Sequence, residues 1–350
     1  MKDNKLLKIE ELARQTVEDK LNQLTERKKR LDKYRPLPPA LVKNLEDWFK
    51  VELTYTSNAI EGNTLTRQET ALVVEKGITV EGKSLQEHLE AINHAQALEF
   101  IKALVKKKRE ELIEADILAI HKIMLAKIDD TNAGKYRTVS VRIAGSTVII
   151  PNALKVPDLM SGFVKWLNQP NADHAIKIAA DAHYRLVSIH PFVDGNGRTA
   201  RLMMNLLLMQ EGYPPALIRK EDRRRYINSI EQGQLGGDLK DYYKIVSEAV
   251  ERSLDIYLEA LEPKETKEGV KINKLLKIGE LAKETGETVC TIRFWTKEGL
   301  LTVKDFTKGG YQLYEPSMAE QVKEIRRLQN KERLTIAEIK ERLKSRLDFV

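Results

Sequence analysis

The sequence predicts an all-α protein of two folded regions, a helical domain with one β-hairpin and a C-terminal winged helix-turn-helix. Three observations support this expectation. The chain has 350 residues, which is more than a single domain usually holds. Apolar residues recur at helical spacing over most of its length. A polar stretch from Glu262 to Gly269, with a proline near its start, has the composition of a linker.

Composition narrows the class of protein. The chain is 42% hydrophobic and 32% charged, which is typical of a folded globular protein. Its single cysteine, Cys290, excludes an internal disulfide and a cysteine-based zinc site. No apolar run approaches the roughly 18 residues of a membrane span, and the N-terminus has no signal-peptide hydrophobic stretch. We therefore expect a cytoplasmic protein with no membrane partner, whose net charge of +7 suits an anionic partner.

The sequence divides into four regions. We expect an N-terminal helical segment over 1–40, a main domain over 41–262, a linker over 263–271 and a C-terminal domain over 272–350. The first helix should end at the Pro-Leu-Pro-Pro cluster of residues 36–39, and the second at Gly62. Helices are expected over 10–33, 40–61, 84–105, 113–127, 157–168, 174–189, 199–211, 222–231 and 239–261.

Residues 139–150 show the two-residue periodicity of a β-strand instead of helical spacing. Apolar residues alternate from Val139 to Ile143, and a β-branched run over 148–150 follows the glycine at position 145. Alternation around a glycine predicts a short β-hairpin. We call residues 139–150 the flap segment, because a lone hairpin in a helical domain suits a cover over a site. A simple connector is the alternative.

Residues 190–201, read His-Pro-Phe-Val-Asp-Gly-Asn-Gly-Arg-Thr-Ala-Arg, carry the chemistry. Proline after His190 disfavours helix at the histidine, so a helix should end there with an imidazole at its tip. The Gly-Asn-Gly turn of residues 195–197 can adopt positive φ angles and align N–H groups as an anion nest. A new helix should begin near Arg198, with its positive end at the same point.

Charged residues complete this loop. Arg198 and Arg201 lie three residues apart on one face of the new helix, and Asp194 supplies an oxygen ligand for Mg²⁺ beside the nest. A base, an anion cradle, two arginines and one carboxylate describe a phosphoryl-type transfer site. The chain has neither a P-loop nor the kinase motif set.

The loop resembles the HPFx(D/E)GNGRxxR signature of the Fic family, enzymes that move AMP from ATP onto protein hydroxyls. The resemblance covers about residues 41–262 and includes Gly-Lys-Tyr-Arg at 134–137 and Gly-Tyr-Pro-Pro-Ala-Leu-Ile-Arg at 212–219. The chain is most similar to animal members of the family. The resemblance implies a Fic helical core with a hairpin flap.

The resemblance also implies roles for the loop. His190 would act as general base for attack on the α-phosphate of ATP, with Mg²⁺ held at Asp194 and Arg201 reaching the γ-phosphate. The partner would be a Ser, Thr or Tyr hydroxyl of a protein, this chain included, whose extended segment docks on the flap. The implied ATP-binding set is Asp194, Gly195, Asn196, Gly197, Arg198, Thr199, Ala200, Arg201 and, near the adenine, Tyr226.

A second motif precedes the main domain's core. Glu61 falls in the last turn of its helix, where the macrodipole disfavours an acid by roughly 0.3–1 kcal/mol. The segment from Ser57 through Glu61 to Gly62 matches the (S/T)xxxE(G/N) inhibitory motif of the family. The resemblance implies that Glu61 pairs with Arg201 and holds ATP in a non-productive pose. Removal of AMP at the same site, and a nucleotide-sensing transcription regulator, are the alternatives; relatives of this type often form homodimers.

The C-terminal domain carries most of the net charge. Residues 271–350 contain 17 Lys and Arg against 12 Asp and Glu. Residues 277–286 and 288–299 predict two short helices joined by a glycine turn, and 300–303 with 311–314 predict a wing. The run from Thr291 to Leu301 resembles the MerR-type winged helix. It would bind DNA through Arg293, Trp295, Lys297, Lys308 and Tyr311, with protein docking as the alternative; we expect Cys290 to be buried.

Overall fold

The computed structural model describes residues 16–143, 145–262, 275–306, 312–332 and 334–347. The chain divides into two compact units, Met1–Lys264 and Glu265–Val350. Both are mainly helical, as predicted, and the sheet found in the described residues belongs to the second unit. Among the described helices, none is both long and apolar enough to cross a membrane.

The described part of the first unit contains ten α-helices. In chain order they are α1 (Val17–Asp32), α2 (Pro39–Ile60), α3 (Arg67–Lys76), α4 (Leu85–Leu104), α5 (Glu114–Leu125), α6 (Val156–Asn168), α7 (Ala175–Ile189), α8 (Asn196–Gln210), α9 (Arg223–Gln234) and α10 (Lys240–Leu261). Short 3₁₀ turns cover Arg109–Glu111, Ala153–Lys155 and Lys220–Asp222. Helix α3 is not among the predicted helices, although Thr66 and Glu69 form a capping box at its start.

Helix α8 lies at the centre of the first unit. It packs along α7 and also contacts α2, α4 and α5. Its apolar side chains, Leu202, Leu206 and Leu208 among them, are almost completely buried. The helix begins at Asn196 rather than at 198–199 as expected, because Gly195 takes a left-handed φ of 74° and lets helix follow at once.

The N-terminal helix belongs to the same core. α1 packs against α10, where Leu21, Leu24 and Leu31 are buried. The rim of this contact carries ion pairs, including Lys20 Nζ at 2.6 Å from Glu251 Oε2. The part of the predicted first helix before residue 16 lies outside the described residues.

The flap segment differs from the predicted hairpin. Gly145 lies in a turn with φ 78°, and Ser146 N donates to Ile143 O at 3.2 Å, but the described residues on either side form no paired strands. Side chains from outside supply the partners instead. Arg137 donates to the carbonyls of Val139 and Pro151, and Glu231 accepts from Ser146 Oγ at 2.7 Å. These contacts hold the segment in place without a strand ladder.

The second unit has a helix-turn-helix followed by a small sheet. Its elements are β1 (Leu276–Lys277), α11 (Ile278–Thr285), α12 (Val289–Lys297), β2 (Asp305–Phe306), β3 (Gln312–Tyr314), α13 (Ser317–Lys331) and α14 (Ile336–Leu347). The antiparallel sheet has the order β1-β3-β2, with Leu276 opposite Tyr314 and Asp305 opposite Leu313. Between the two helices, Gly286 has a φ of 73°.

The wing begins later than predicted. The first wing strand is β2 at 305–306 rather than 300–303, because Leu300 and Leu301 are buried in the core of this unit. That core also contains Trp295, 1% exposed, with the Arg326 guanidinium 5.0 Å from the centre of its ring. Residues 307–311 lie outside the described residues.

Candidate active site

His190 stands at the end of α7, where the sequence places it. It takes a left-handed backbone with φ 52° and ψ 58°; among the described non-glycine residues, only Lys127 shares a positive φ. Its Nδ1 lies 3.3 Å from the carbonyl of Val187. This contact favours a proton on Nδ1 and leaves the Nε2 lone pair free. Burial lowers the pKa of His190 below its usual value, so the imidazole is neutral near pH 7 and can act as a base.

The N-terminus of α8 faces the loop without a side-chain cap. Gly195 precedes the helix, and Thr199 N is the first amide of α8 to bond back, at 2.9 Å from Gly195 O. The amides of Asn196, Gly197 and Arg198 are therefore left for another acceptor. Unpaired amides at the positive end of a helix form an anion-binding site.

The side chain of Asn196 is used within the loop. Its Oδ1 accepts from Phe192 N and its Nδ2 donates to Phe192 O, both at 2.9 Å, and the residue is 3% exposed. Both polar atoms of this side-chain amide are thus engaged by Phe192, and the place of Asn196 in the implied ATP-binding set stays a prediction. Asn196 closes the five-residue turn that presents the backbone amides.

Arg201 and Glu61 are in contact, as the two motifs predict. Arg201 Nη2 lies 2.7 Å from Glu61 Oε1, and its Nε and Nη2 also donate to Ser57 Oγ and Ser57 O at 3.0 Å. Glu61 is the residue that ends α2, and the adjacent carbonyl of Ile60 accepts from Arg223 Nε at 2.6 Å. The cation of Arg223 offsets the unfavourable macrodipole beside Glu61.

The Glu61 carboxylate lies directly over the start of α8. A Cβ atom built on Gly197 would overlap Glu61 Oε1, so a larger residue at this position would displace the carboxylate from where it lies. The acid thus occupies space next to the amides that an anion would use. Gly62 follows with a φ of 104° and turns the chain away.

Arg198 is buried with spare donors. Its Nη1 lies 3.2 Å from Glu90 Oε1 and its Nη2 3.1 Å from Asp194 Oδ2, yet Nε and Nη1 have no hydrogen-bond partner among the described residues. The residue is 3% exposed. Buried guanidinium atoms normally find partners. The lack of hydrogen-bond partners for Nε and Nη1 of Arg198 fits a site that accepts an anionic ligand.

A metal ion would have a single protein ligand here. The Asp194 side chain is 62% exposed, and the described residues contain no group of three His, Cys, Asp or Glu placed to hold a metal. Mg²⁺ is commonly held by one or two carboxylates, substrate phosphates and water. Asp194 beside the anion nest fits that coordination.

Three residues of the implied ATP-binding set face the interior. Thr199 and Ala200 are fully buried on α8, because the helix turns these positions toward the core, and Tyr226 is 1% exposed. Their side chains face the core, and their place in the ATP-binding set stays a prediction. Burial also raises the pKa of the Tyr226 hydroxyl to about 12.

Tyr226 belongs to a chain of hydrogen bonds behind Arg201. Its hydroxyl contacts Arg201 and lies 2.6 Å from His183 Nε2. His183 Nδ1 lies 2.8 Å from the hydroxyl of Tyr242, which donates to Ala180 O at 2.8 Å. The Tyr242 hydroxyl donates to Ala180 O and therefore accepts the proton on His183 Nδ1, while His183 Nε2 accepts from the Tyr226 hydroxyl. This pattern of donors and acceptors requires a neutral His183. Burial also favours the neutral ring, because it lowers the pKa of His183 to about 3.

His121 on α5 supports the loop from the side. Its Nδ1 accepts from Gly134 N at 3.0 Å and its Nε2 donates to Asp194 O at 3.0 Å. The ring stacks on Phe192 with 3.6 Å between ring centres. Burial lowers its pKa to about 4, which keeps the ring neutral. Its partners are main-chain atoms, so the sequence offered no signal beyond a histidine in a helix.

The second unit places some predicted residues at its surface. Arg293 and Lys297 are exposed on one face of α12 together with Phe294 and Cys290. The expectation that Cys290 is buried is therefore wrong. Trp295 is also misassigned, because the helix turns it into the core. Lys308 and Tyr311 lie outside the described residues.

Comparison with known proteins agrees with both motifs. Residues 111–208 match the Fic/DOC family, and residues 276–346 match the MerR HTH family regulatory protein model. A protein adenylyltransferase Fic of Aedes aegypti is 38% identical over 221 residues, which are 63% of this chain and 44% of that protein. The chain thus spans less than half the length of this curated relative.

Solved structures agree with the fold. Fic-1 (residues 134–508) of C. elegans matches with a TM-score of 0.65 and 32% identity, over 70% of this chain and 72% of that one. A Fic domain-containing signaling protein of Bacteroides thetaiotaomicron matches with a TM-score of 0.62 and 33% identity, over 69% and 96%.

The neutral state of His183 predicts a fold that weakens in mild acid. A free histidine titrates near pH 6.5, whereas His183 in the fold titrates at about 3. The unfolded chain therefore binds more protons below pH 6.5, so the stability contributed by His183 is complete above that pH and declines as the pH falls toward 3. The loss is roughly 1.4 kcal/mol per pH unit for this residue. Urea unfolding at pH 7 and pH 5.5 measures it.

The matched variant is His183→Gln. It should be less stable than the parent at pH 7, because it interrupts the hydrogen-bond chain, and should lose less stability between pH 7 and pH 5.5. Equal losses in the two proteins would show that His183 does not titrate as described.

Proposed function

The chain belongs to the Fic family, and from this membership we propose that it transfers AMP from ATP to a hydroxyl side chain of a protein. The proposal rests on one observation: His190 lies in the same loop as the uncapped start of α8, which also carries the buried Arg198 and Arg201. This arrangement places a neutral base beside a site built for an anion.

The transfer needs one proton acceptor and one anion cradle. Nε2 of His190 takes the proton of the attacking hydroxyl, whose oxygen forms a bond to the α-phosphorus while the bond to pyrophosphate breaks. The amides of residues 195–197 and the guanidinium of Arg198 hold phosphate oxygens. Asp194 would hold Mg²⁺, which neutralises phosphate charge as the pyrophosphate leaves.

We further propose that Glu61 inhibits this reaction. Arg201 is a buried cation of the site, and its Nη2 is engaged by Glu61 at 2.7 Å. A γ-phosphate directed to Arg201 meets a carboxylate already next to Gly197, with which it shares both space and negative charge. ATP then binds with its α-phosphate away from His190, and transfer is slow.

Replacement of Glu61 by glycine should raise the rate of AMP transfer at least tenfold, because Arg201 becomes free for the γ-phosphate. The measurement is label incorporated from α-³²P-ATP into this chain and into added cell proteins. Glu211→Gly is the matched control, since Glu211 also ends a helix before a glycine, with φ −89° and ψ 9° against −84° and −1° for Glu61. It should leave the rate unchanged.

Two results would change the assignment. A rate in Glu61→Gly equal to the parent's contradicts inhibition by Glu61. Nucleotide binding without transfer in both proteins would favour a nucleotide sensor, and loss of AMP from a modified protein would favour removal of AMP at the same site.

His190→Ala in the Glu61→Gly protein should lower transfer by roughly 10²–10⁴-fold, because the base is lost. ATP affinity should change little. In the protein that keeps His190, transfer should fall as the pH drops through the lowered pKa of the imidazole, so its acid limb lies below pH 6.5. Glu61 raises that pKa, so its removal moves the limb further down. An acid limb above pH 6.5 would contradict His190 as the base.

We also propose that the second unit binds DNA through α12. The helix is the second of the helix-turn-helix, and its exposed face carries Arg293 and Lys297. Residues 276–346 match the MerR HTH family regulatory protein model. In helix-turn-helix proteins, the exposed basic face of the second helix binds in the DNA groove.

A mobility-shift titration against the promoter region of its own gene tests this. Arg293→Ala combined with Lys297→Ala should weaken binding, and the slope of log affinity against log salt should shrink by about two, because two phosphate contacts are lost. Lys323→Ala combined with Lys340→Ala, exposed on α13 and α14, removes the same charge as a control. Equal effects of the two pairs, or no binding at low salt, would favour a protein-docking domain.

A further inference from the structure

Arg137 is a buried arginine that the transfer reaction does not use directly. It is 2% exposed and lies between α5 and the flap segment. Its guanidinium donates to three carbonyls: Nε to His190 O at 2.8 Å, Nη1 to Val139 O at 3.1 Å, and Nη2 to Pro151 O at 2.5 Å. Its own amide donates to Pro191 O at 2.9 Å.

No carboxylate of the described residues pairs with Arg137. The ion pairs of the described residues do not include it, and burial lowers the pKa of its guanidinium. Taking a charge out of water without an acid partner is costly. Among the described residues, the cost of burying this charge is offset by the three carbonyls. They come from separate places in the chain: Val139 at the start of the flap segment, Pro151 directly after its end, and His190.

The bond to His190 acts on a strained backbone. His190 has a φ of 52°, and this left-handed region is unfavourable for a residue with a Cβ atom. Arg137 fixes the two successive peptides that follow His190, because its Nε holds His190 O and its amide holds Pro191 O. The direction of the imidazole follows from this backbone, since its Nδ1 is fixed in turn at Val187 O.

We propose that Arg137 is a positioning residue that aims the Nε2 lone pair of His190 and joins it to both ends of the flap segment. The inference rests on the proposed AMP transfer. A protein segment that docks on the flap then acts on the same guanidinium that orients the base. Lysine cannot replace the arginine, because the three acceptors need a planar fork with several donors rather than a single ammonium.

The test uses the full chain with Glu61→Gly as parent. Arg137→Lys and Arg137→Ala should each lower AMP transfer by roughly 10²-fold, the effect of a misplaced catalytic group. The Kd for ATP, measured by calorimetry, should stay within about twofold, since Arg137 has no contact with the anion nest. Guanidinium ion at about 50 mM should restore part of the rate of Arg137→Ala, and sodium chloride at equal strength should not.

The matched control is Arg252→Ala. Arg252 also donates to a main-chain carbonyl, that of Leu217, at 2.9 Å, but it lies on α10. Its loss should lower the melting temperature and leave transfer within about twofold of the parent. A transfer rate for Arg137→Lys equal to the parent's would overturn the proposal. So would a loss of transfer matched by an equal loss of ATP affinity.

A second readout does not depend on activity. The ¹⁵N resonances of the His190 ring report which nitrogen carries the proton and what surrounds it. They should shift in both Arg137 variants and stay in place in Arg252→Ala. If the Glu61→Gly parent transfers no AMP, the proposed function fails while these resonances still decide the role of Arg137. Ring resonances equal to the parent's in Arg137→Lys would overturn it.

Discussion

The start of α8 is the constraint around which the first unit is organised. The helix is largely buried, and its first three amides have no hydrogen-bond partner among the described residues. Unpaired buried amides are costly, and a site that leaves them open must be held open by its surroundings. Asn196 and His121 do this by fixing the loop through Phe192 and Asp194. Structure that looks like simple packing is thus what keeps an anion site available.

Charge is balanced separately at the two arginines. Arg201 is met by Glu61 from α2, and Arg198 by Glu90 from α4 and by Asp194. The acids therefore come largely from helices that precede the loop in the chain. The site is close to neutral before any nucleotide is present, which lets two guanidinium groups remain buried in a stable fold.

Local backbone features were easier to predict from the sequence than the orientation of side chains. The motif of residues 190–201 predicted the helix end at His190 and the turn at Gly195, and the family resemblance implied the contact of Glu61 with Arg201. Neither showed which residues face inward, because α8 lies in the core and turns Thr199 and Ala200 away from the loop. Arg137 and His121 were not singled out, since their partners are carbonyls and amides distant in the chain. Main-chain partners leave no pattern in a sequence.

Glu61 is tethered to the site it occupies. Its carboxylate faces Arg201 at an effective concentration that the fold sets and that dilution cannot change. A free ligand that needs the same cation therefore competes with an intramolecular rival, whose strength is independent of protein concentration. Under the proposed inhibition, the threshold for displacing Glu61 would be a property of where α2 ends, and a movement of that helix end would be a more effective control than a rise in the amount of nucleotide.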